Sequence, residues 1–353
     1  MQPVAVRILH RPAALEPLPL EGWLAEARHR NAVELSSAFD DAGATDVELL
    51  ESDDPRPFGT RLRELAADLA DGAGIVVLGS GSIPLARPRD LRALVRAAGS
   101  GTRTALANNR YSADALAIGD ATRLHDLPDL PSDNAVPRWL EEVAGYDVDD
   151  LRTRWRLALD LDSPLDAYLV DPASVPPGLD LGALLDAING VRAVAADRRS
   201  QLLITGRTSA RTLRWLERST ASRTRALIEE RGLRASAPDA ASPDQPVRDR
   251  PPRSVLGQLL DDRGPEALGS ILAELGDAAV VDTRVLLAHR LGADESAWPG
   301  AEDRFASDLL MPERILEPWL KALTASAVAA PVPILLGGHT LVGPGIRRLL
   351  RAA

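Results

Sequence analysis

Short aliphatic runs alternate with longer amphipathic stretches through the first half of this 353-residue chain. Val4 to Leu9 (V-A-V-R-I-L) reads as a first strand. Leu24, Ala27, Ala32, Leu35 and Phe39 then recur at helical spacing between Gly22 and Ala42, and Gly43 stops the pattern. Asp46 to Leu50 reads as a second strand, Leu62, Leu65 and Leu69 as one face of a second helix, and Ile75 to Leu78 as a third strand. The third strand breaks into Gly79-Ser80-Gly81-Ser82. An amphipathic helix over Asp90–Ala98 follows, then strands at Thr104–Ala107 and Ala115–Ile118 and a helix over Ala135–Ala144. This alternation predicts an α/β fold, a layered sheet with helices on its faces.

Pro172, Pro176 and Pro177 mark a boundary. It divides the chain into a domain over 1–170, a linker over 171–180 and a second domain over 181–353. The second is expected to be smaller, and either α/β or mostly helical. Within it the pattern strand, polar loop, helix occurs three times, at Thr205, Asp282 and Gly337. A long helix is predicted from Gly206-Arg207-Thr208-Ser209 to about Arg231. Residues 235–253, rich in Pro, Asp, Ser and Ala, read as a flexible loop. Arg211, Arg214, Arg218 and Arg225 share one face at helical spacing, with Arg207 ahead of them in register. They read either as an anion-binding surface or as a solvated face paired with Glu217, Glu229 and Glu230. Arg207, at the helix opening, is the best anion candidate of the set.

Composition narrows the chemistry. The net charge of −10 and the scarcity of aromatics argue against a dedicated nucleic-acid binder. There is no cysteine, which removes thiol catalysis, disulfides and cysteine-based metal sites. Lys321 is the sole lysine, so a Walker-type phosphate lysine has no candidate before it. No stretch approaches the length of apolar residues that a membrane span needs, and a cytoplasmic protein without membrane partners is expected. The oligomeric state is not legible.

The order of elements around Gly79–Ser82 is informative. A strand runs into G-S-G-S-I-P-L, and a helix opens near R-P-R-D-L. N-N-R-Y-S-A-D (Asn108 to Asp114) follows the next strand, and D-L-D-S-P-L-D (Asp160 to Asp166) comes later. This resembles the nucleotidyltransferase-like family of the glycosyltransferase A fold, notably 2-phospho-L-lactate guanylyltransferase and molybdenum cofactor guanylyltransferase. The resemblance covers roughly residues 1–170. It implies a Rossmann-like, three-layer nucleotide-diphospho-sugar-transferase-like domain. It also implies Mg²⁺-dependent transfer of a nucleotidyl group from a nucleotide or nucleotide sugar to a small anionic, phosphorylated acceptor. Gly79, Ser80, Gly81, Ser82, Pro84, Asn108, Asn109 and Asp114 would bind the nucleotide, and Asp160 and Asp162 the metal.

The chain departs from that family in two places. The loop after the first strand reads H-R-P-A-A-L (His10 to Leu15), where the family has a glycine-rich basic loop. Gly81 stands where the family tends to carry a metal-binding aspartate. A non-catalytic relative that senses a ligand or serves assembly is therefore the alternative. Each element also has a plainer role: Gly79–Ser82 as a tight turn, Asn108 and Asn109 as turn residues, Asp162-Ser163-Pro164 as a helix start. A third possibility places an active site in the second domain, where Asp282 and His339, with Arg304 and Asp308, would meet. The five histidines offer no metal-spaced pair along the sequence.

Overall fold

The computed structural model describes residues 2–70, 72–230 and 253–351. The predicted flexible loop at 235–253 therefore lies outside the described residues, apart from Arg253. The chain divides into two compact units. One comprises Met1–Glu16 and Ala25–Leu161, the other Pro17–Leu24 and Asp162–Ala353. The second unit is thus the longer in sequence, not the smaller, and it takes in the predicted linker.

In the N-terminal unit six strands form one sheet: β1 (Val4–His10), β2 (Asp46–Glu51), β3 (Gly74–Gly79), β4 (Thr104–Ala107), β5 (Ala115–Ile118) and β6 (Asp147–Asp150). Their order is β2-β1-β3-β5-β4-β6. β5 runs antiparallel to β3 and β4, and the other pairings are parallel. The helices are α1 (Pro19–Asp41), α2 (Phe58–Ala67), α3 (Pro88–Ala98) and α4 (Val136–Glu142).

Alternation along β3 sends Val76 and Leu78 to one face and Ile75 and Val77 to the other. Val76 and Leu78 join a core with Ala32, Leu35 and Phe39 of α1 and Leu91, Leu94 and Val95 of α3. Ile75 and Val77 join a second core with Leu62 of α2 and Val136 and Leu140 of α4. With both faces covered, the central strands can be almost wholly apolar. The chain leaves β1 for β2 on one side and returns past β1 to β3 on the other. Strand order therefore reverses between β1 and β3.

In the C-terminal unit β7 (Gln201–Gly206), β8 (Arg223–Ile228), β9 (Ala278–Asp282) and β10 (Ile334–Gly337) form a wholly parallel sheet in the order β10-β9-β7-β8. This sheet settles the second domain as α/β. Its helices are α5 (Pro164–Val170), α6 (Gly182–Ala196), α7 (Ala210–Ser219), α8 (Val255–Arg263), α9 (Leu268–Ala273), α10 (Thr283–Leu291), α11 (Ala301–Asp308), α12 (Pro318–Val328) and α13 (Ile346–Leu350). Here the order reverses between β7 and β9.

Two expectations are corrected. The helix after Arg207 ends at Ser219, not near Arg231, and Arg225 lies on β8. Thr220, Ser222 and Thr224 favour extended backbone over helix, and pairing of Gln201–Gly206 with Arg223–Ile228 takes the segment. The arginine stripe reduces to Arg211, Arg214 and Arg218. The division also falls at Leu161/Asp162, ahead of the proline-rich segment, because Pro164, Leu165, Ala167 and Leu169 of α5 are buried in the C-terminal unit.

Residues 17–24 belong to that same unit. The Glu302 carboxylate accepts hydrogen bonds from the backbone N–H groups of Leu20 (3.0 Å) and Glu21 (3.2 Å), capping the start of α1. Among the described residues no helix is long and apolar enough to cross a membrane.

Candidate functional site

In the N-terminal unit, β1, β2 and β3 end side by side. His10 and Glu51 are register partners at the ends of β1 and β2, and Gly79–Ser82 leaves the end of β3. The loop is tied down from several directions. Ser80 N donates to Leu9 O at 2.8 Å, and Ser82 N to Gly79 O at 3.0 Å. Asn31 of α1 donates its amide to Ser80 O (2.7 Å) and Ser82 O (3.1 Å). Ser80 Oγ lies 3.0 Å from His10 Nδ1, and Ser82 Oγ donates to Asp114 O at 2.8 Å. Ser80 and Ser82 are buried and Pro84 is half-buried. Ile83, next along, holds φ at +46°, a region that strains a β-branched residue by about 1–3 kcal/mol.

The loop and the first acidic residue of the later motif meet. Ser82 and Asp160 form an antiparallel bridge, and Leu161 N donates to Gly81 O at 3.0 Å. A Cβ on Gly81 would stand 3.1 Å from Asp160 Oδ1 and 3.2 Å from Arg28 Nε. Arg28 Nε itself donates to Leu161 O at 2.7 Å.

The N-N-R-Y-S-A-D segment is a structural tie. Asn108 donates to Asp114 Oδ2 (3.0 Å) and Leu157 O (2.9 Å) and accepts from Asp114 N (3.0 Å) and Ala115 N (3.2 Å). Those four bonds use the whole capacity of a primary amide. Asn109 accepts from Tyr111 N, bracing the same turn.

Sequence reading missed one group. His10, His29 and Glu51 offer ligand atoms that all lie within 4.8 Å of one another, so the fold brings together histidines that the sequence keeps apart. Burial and the neighbouring His29 hold the His10 imidazole below its ordinary value, and Arg28 adds to this; Glu51 opposes them without prevailing. The sequence signal is slight: His10 and Glu51 each directly follow an expected strand, Val4 to Leu9 and Asp46 to Leu50.

In the C-terminal unit the strand ends carry a charged constellation. Arg207, just past β7, donates from Nε to Asp282 Oδ2 (2.6 Å) and from Nη2 to Oδ1 (3.0 Å). Gly206, at φ +114°, permits this approach: a Cβ there would stand 2.3 Å from the Cβ of Asp282. Asp282 also accepts from Arg284 N at 3.2 Å, capping α10. Burial alone would raise the Asp282 carboxyl, but the Arg207 charge and hydrogen bonds hold it below the usual carboxylate range. Arg284 grips Asp308 through two bonds of 2.6 Å.

Asp166, buried at the start of α5, accepts from Ser163 Oγ (2.9 Å) and Asp162 N (3.1 Å). Burial first, and the Asp162 charge second, push its carboxyl up to about 8. Asp162 Oδ2 lies 3.8 Å from His339 Nδ1, both side chains half-exposed. An imidazole beside a carboxylate is suited to proton transfer, whereas Asp282 and Arg207 are occupied with each other. Asp160 and Asp162 fall on opposite sides of the division between units. Ser163 caps α5 by accepting from Asp166 N, as its sequence predicts for a helix start.

A cavity of about 340 Å³ in the C-terminal unit, lined by Ala183, Asp186 and Pro333 among others, lies at the amino end of β10. It touches none of these residues. Asp282 and Gly337, like His10, Glu51 and Gly79, close the carboxyl ends of their strands. In comparisons with known proteins, no family model, no curated protein and no solved structure matches this chain.

Proposed function

We propose that the N-terminal unit binds a nucleotide or nucleotide sugar at the carboxyl ends of β1 and β3, as a relative of the nucleotidyltransferase-like family that its motifs resemble. One observation carries the reading. Strand order reverses between β1 and β3, and open α/β sheets take ligands outside the strand ends at such a reversal. The loops leaving there are Gly79–Ser82, which the resemblance assigns to the nucleotide, and His10–Leu15, which stands in the place of the family's glycine-rich loop. The strained backbone at Ile83 and the bridge between Ser82 and Asp160 support the same position. Arg11, at the start of the first loop, pairs with Asp53 at 2.6 Å while both side chains stay exposed. Such a surface pair is weak enough to yield to a phosphate.

Magnesium does not fit this loop. Mg²⁺ asks for near-octahedral oxygen ligands. Gly81 brings no carboxylate, and the Arg28 guanidinium stands 3.2 Å from where its Cβ would be, on ground the ion would need. The role proposed is ligand binding without magnesium-dependent nucleotidyl transfer.

The test is calorimetric titration of the intact chain with GTP, CTP, ATP and a UDP-sugar, with and without EDTA. Saturable binding at one site per chain, insensitive to EDTA and weakened in Arg11→Ala, is expected. Silence with every nucleotide would overturn the reading.

A further inference from the structure

We infer that His10, His29 and Glu51 form a binding site for a divalent transition metal of the zinc class. The three come from separate elements: the last residue of β1, the middle of α1 and the last residue of β2. Parallel pairing of β1 with β2 sets His10 directly beside Glu51. The helix then brings His29 to both. Its Nδ1 lies 3.5 Å from Glu51 Oε1, and its ring centroid lies 5.2 Å from that of His10.

The donor set selects the metal. Two imidazole nitrogens and one carboxylate oxygen suit zinc, iron, cobalt, nickel or copper; magnesium and calcium prefer all-oxygen shells. Tetrahedral zinc with bonds of about 2.0–2.1 Å holds its ligand atoms about 3.3 Å apart. The ligand atoms here lie within 4.8 Å of one another, so closure asks for small side-chain rotations. His29 and Glu51 have that freedom, with 41% and 53% of their side chains exposed. His10 does not need it. It is 5% exposed, and Ser80 Oγ lies 3.0 Å from its Nδ1. A ring donating from Nδ1 to Ser80 presents Nε2 as the ligand atom, and a hydrogen-bonded second nitrogen is how metal-binding histidines are usually oriented.

Three protein ligands leave a fourth position for water or a ligand oxygen. Arg28 opposes a cation here, because its charge acts on His10; the Glu51 carboxylate counters it. A surface pair between His29 and Glu51 alone would explain their 3.5 Å contact. It would not explain a buried histidine held by Ser80 as the third vertex.

The site is tested on the intact chain, stripped of metal and without nucleotide, so its failure is separable from failure of nucleotide binding. Titration with Co²⁺ is expected to show one ion per chain. The visible d–d bands should be those of low coordination number, and no sulfur charge-transfer band should appear, since the chain has no cysteine. Zn²⁺ should displace the cobalt and Mg²⁺ should not. His29→Gln and Glu51→Gln, at exposed positions that leave the fold intact, should each weaken Co²⁺ binding more than about tenfold, the least that losing even an outer-shell partner does. His125→Gln should bind as the parent does. Absence of stoichiometric uptake, or uptake unchanged in both His29→Gln and Glu51→Gln, would overturn the site.

Discussion

Arg207 meets Asp282 across the reversal of the second sheet, with Nε and Nη2 donating to the two carboxylate oxygens at 2.6 and 3.0 Å. The Asp282 side chain is wholly buried. Arg207→Met therefore strands a buried carboxylate and is expected to cost about 3–5 kcal/mol at pH 7. Asp282 is held below its ordinary value. The stability it contributes is present above the unfolded carboxylate pKa of about 3.9 and is lost as pH falls through the lower folded value. Guanidinium unfolding of parent and variant should thus differ strongly at pH 7 and converge toward pH 3. Equal differences at both would refute the pairing.

Asp166 works in the opposite sense. Its folded carboxyl is raised to about 8, so the protonated form is the one the fold prefers. Its contribution is complete below about pH 4 and is lost as pH rises toward 8. Asp166→Asn, which resembles the protonated acid, should flatten the decline in melting temperature between pH 5 and pH 8. A variant whose melting temperature falls as steeply as the parent's would rule this out.

Gly81→Asp restores the carboxylate that the family resemblance leads one to expect. The new Cβ would crowd Asp160 Oδ1, Arg28 Nε and Leu161 O, all at 3.1–3.2 Å. The substitution should destabilise by about 1–3 kcal/mol, as overpacking does. It should confer no calorimetric Mg²⁺ binding, because Arg28 still stands beside it. Mg²⁺ uptake by a stable Gly81→Asp chain would show that the loop can be opened.

Asn108→Ala separates holding the loops from touching the ligand. It strands Ala115 N and Leu157 O, in a region where Asn108 is 2% exposed. Each buried group left unpaired costs about 1–3 kcal/mol. Chemical unfolding should register that loss, while nucleotide affinity measured well below the melting temperature should change little. A selective loss of nucleotide affinity with unchanged stability would make Asn108 a ligand contact.

Much of the first sheet is legible in the sequence, since Val4–Leu9 and Ile75–Leu78 are apolar runs bounded by turns, and α3 carries its apolar residues at one spacing. β6 escapes, because D-V-D-D buries only Val148 among its four residues and has no pattern to read. The stretch from Thr220 to Ile228 misleads for another reason. Arg225 lies seven residues past Arg218 and so extends the helical face; the hydroxyl residues between them lean the other way, and pairing with β7 decides. The bridge between Ser82 and Asp160 joins residues far apart in the chain, and no local pattern encodes it. Nor does one encode the grouping of His10, His29 and Glu51, because adjacency of β1 with β2 and the seat of α1 are decided by packing at long range. Likewise no local rule identifies Asp166 as a carboxyl raised by burial; S-P-L-D spells only a helix start.

The cap that Glu302 places on Leu20 and Glu21 bears on how the protein is made. The ribosome delivers the capped segment early and its acceptor some 280 residues later. The C-terminal unit can close only when nearly the whole polypeptide has emerged. A protein cut at Leu161/Asp162 would yield one piece lacking Pro17–Leu24 and another carrying it as an internal segment that belongs to the other unit. No single cleavage gives both units whole.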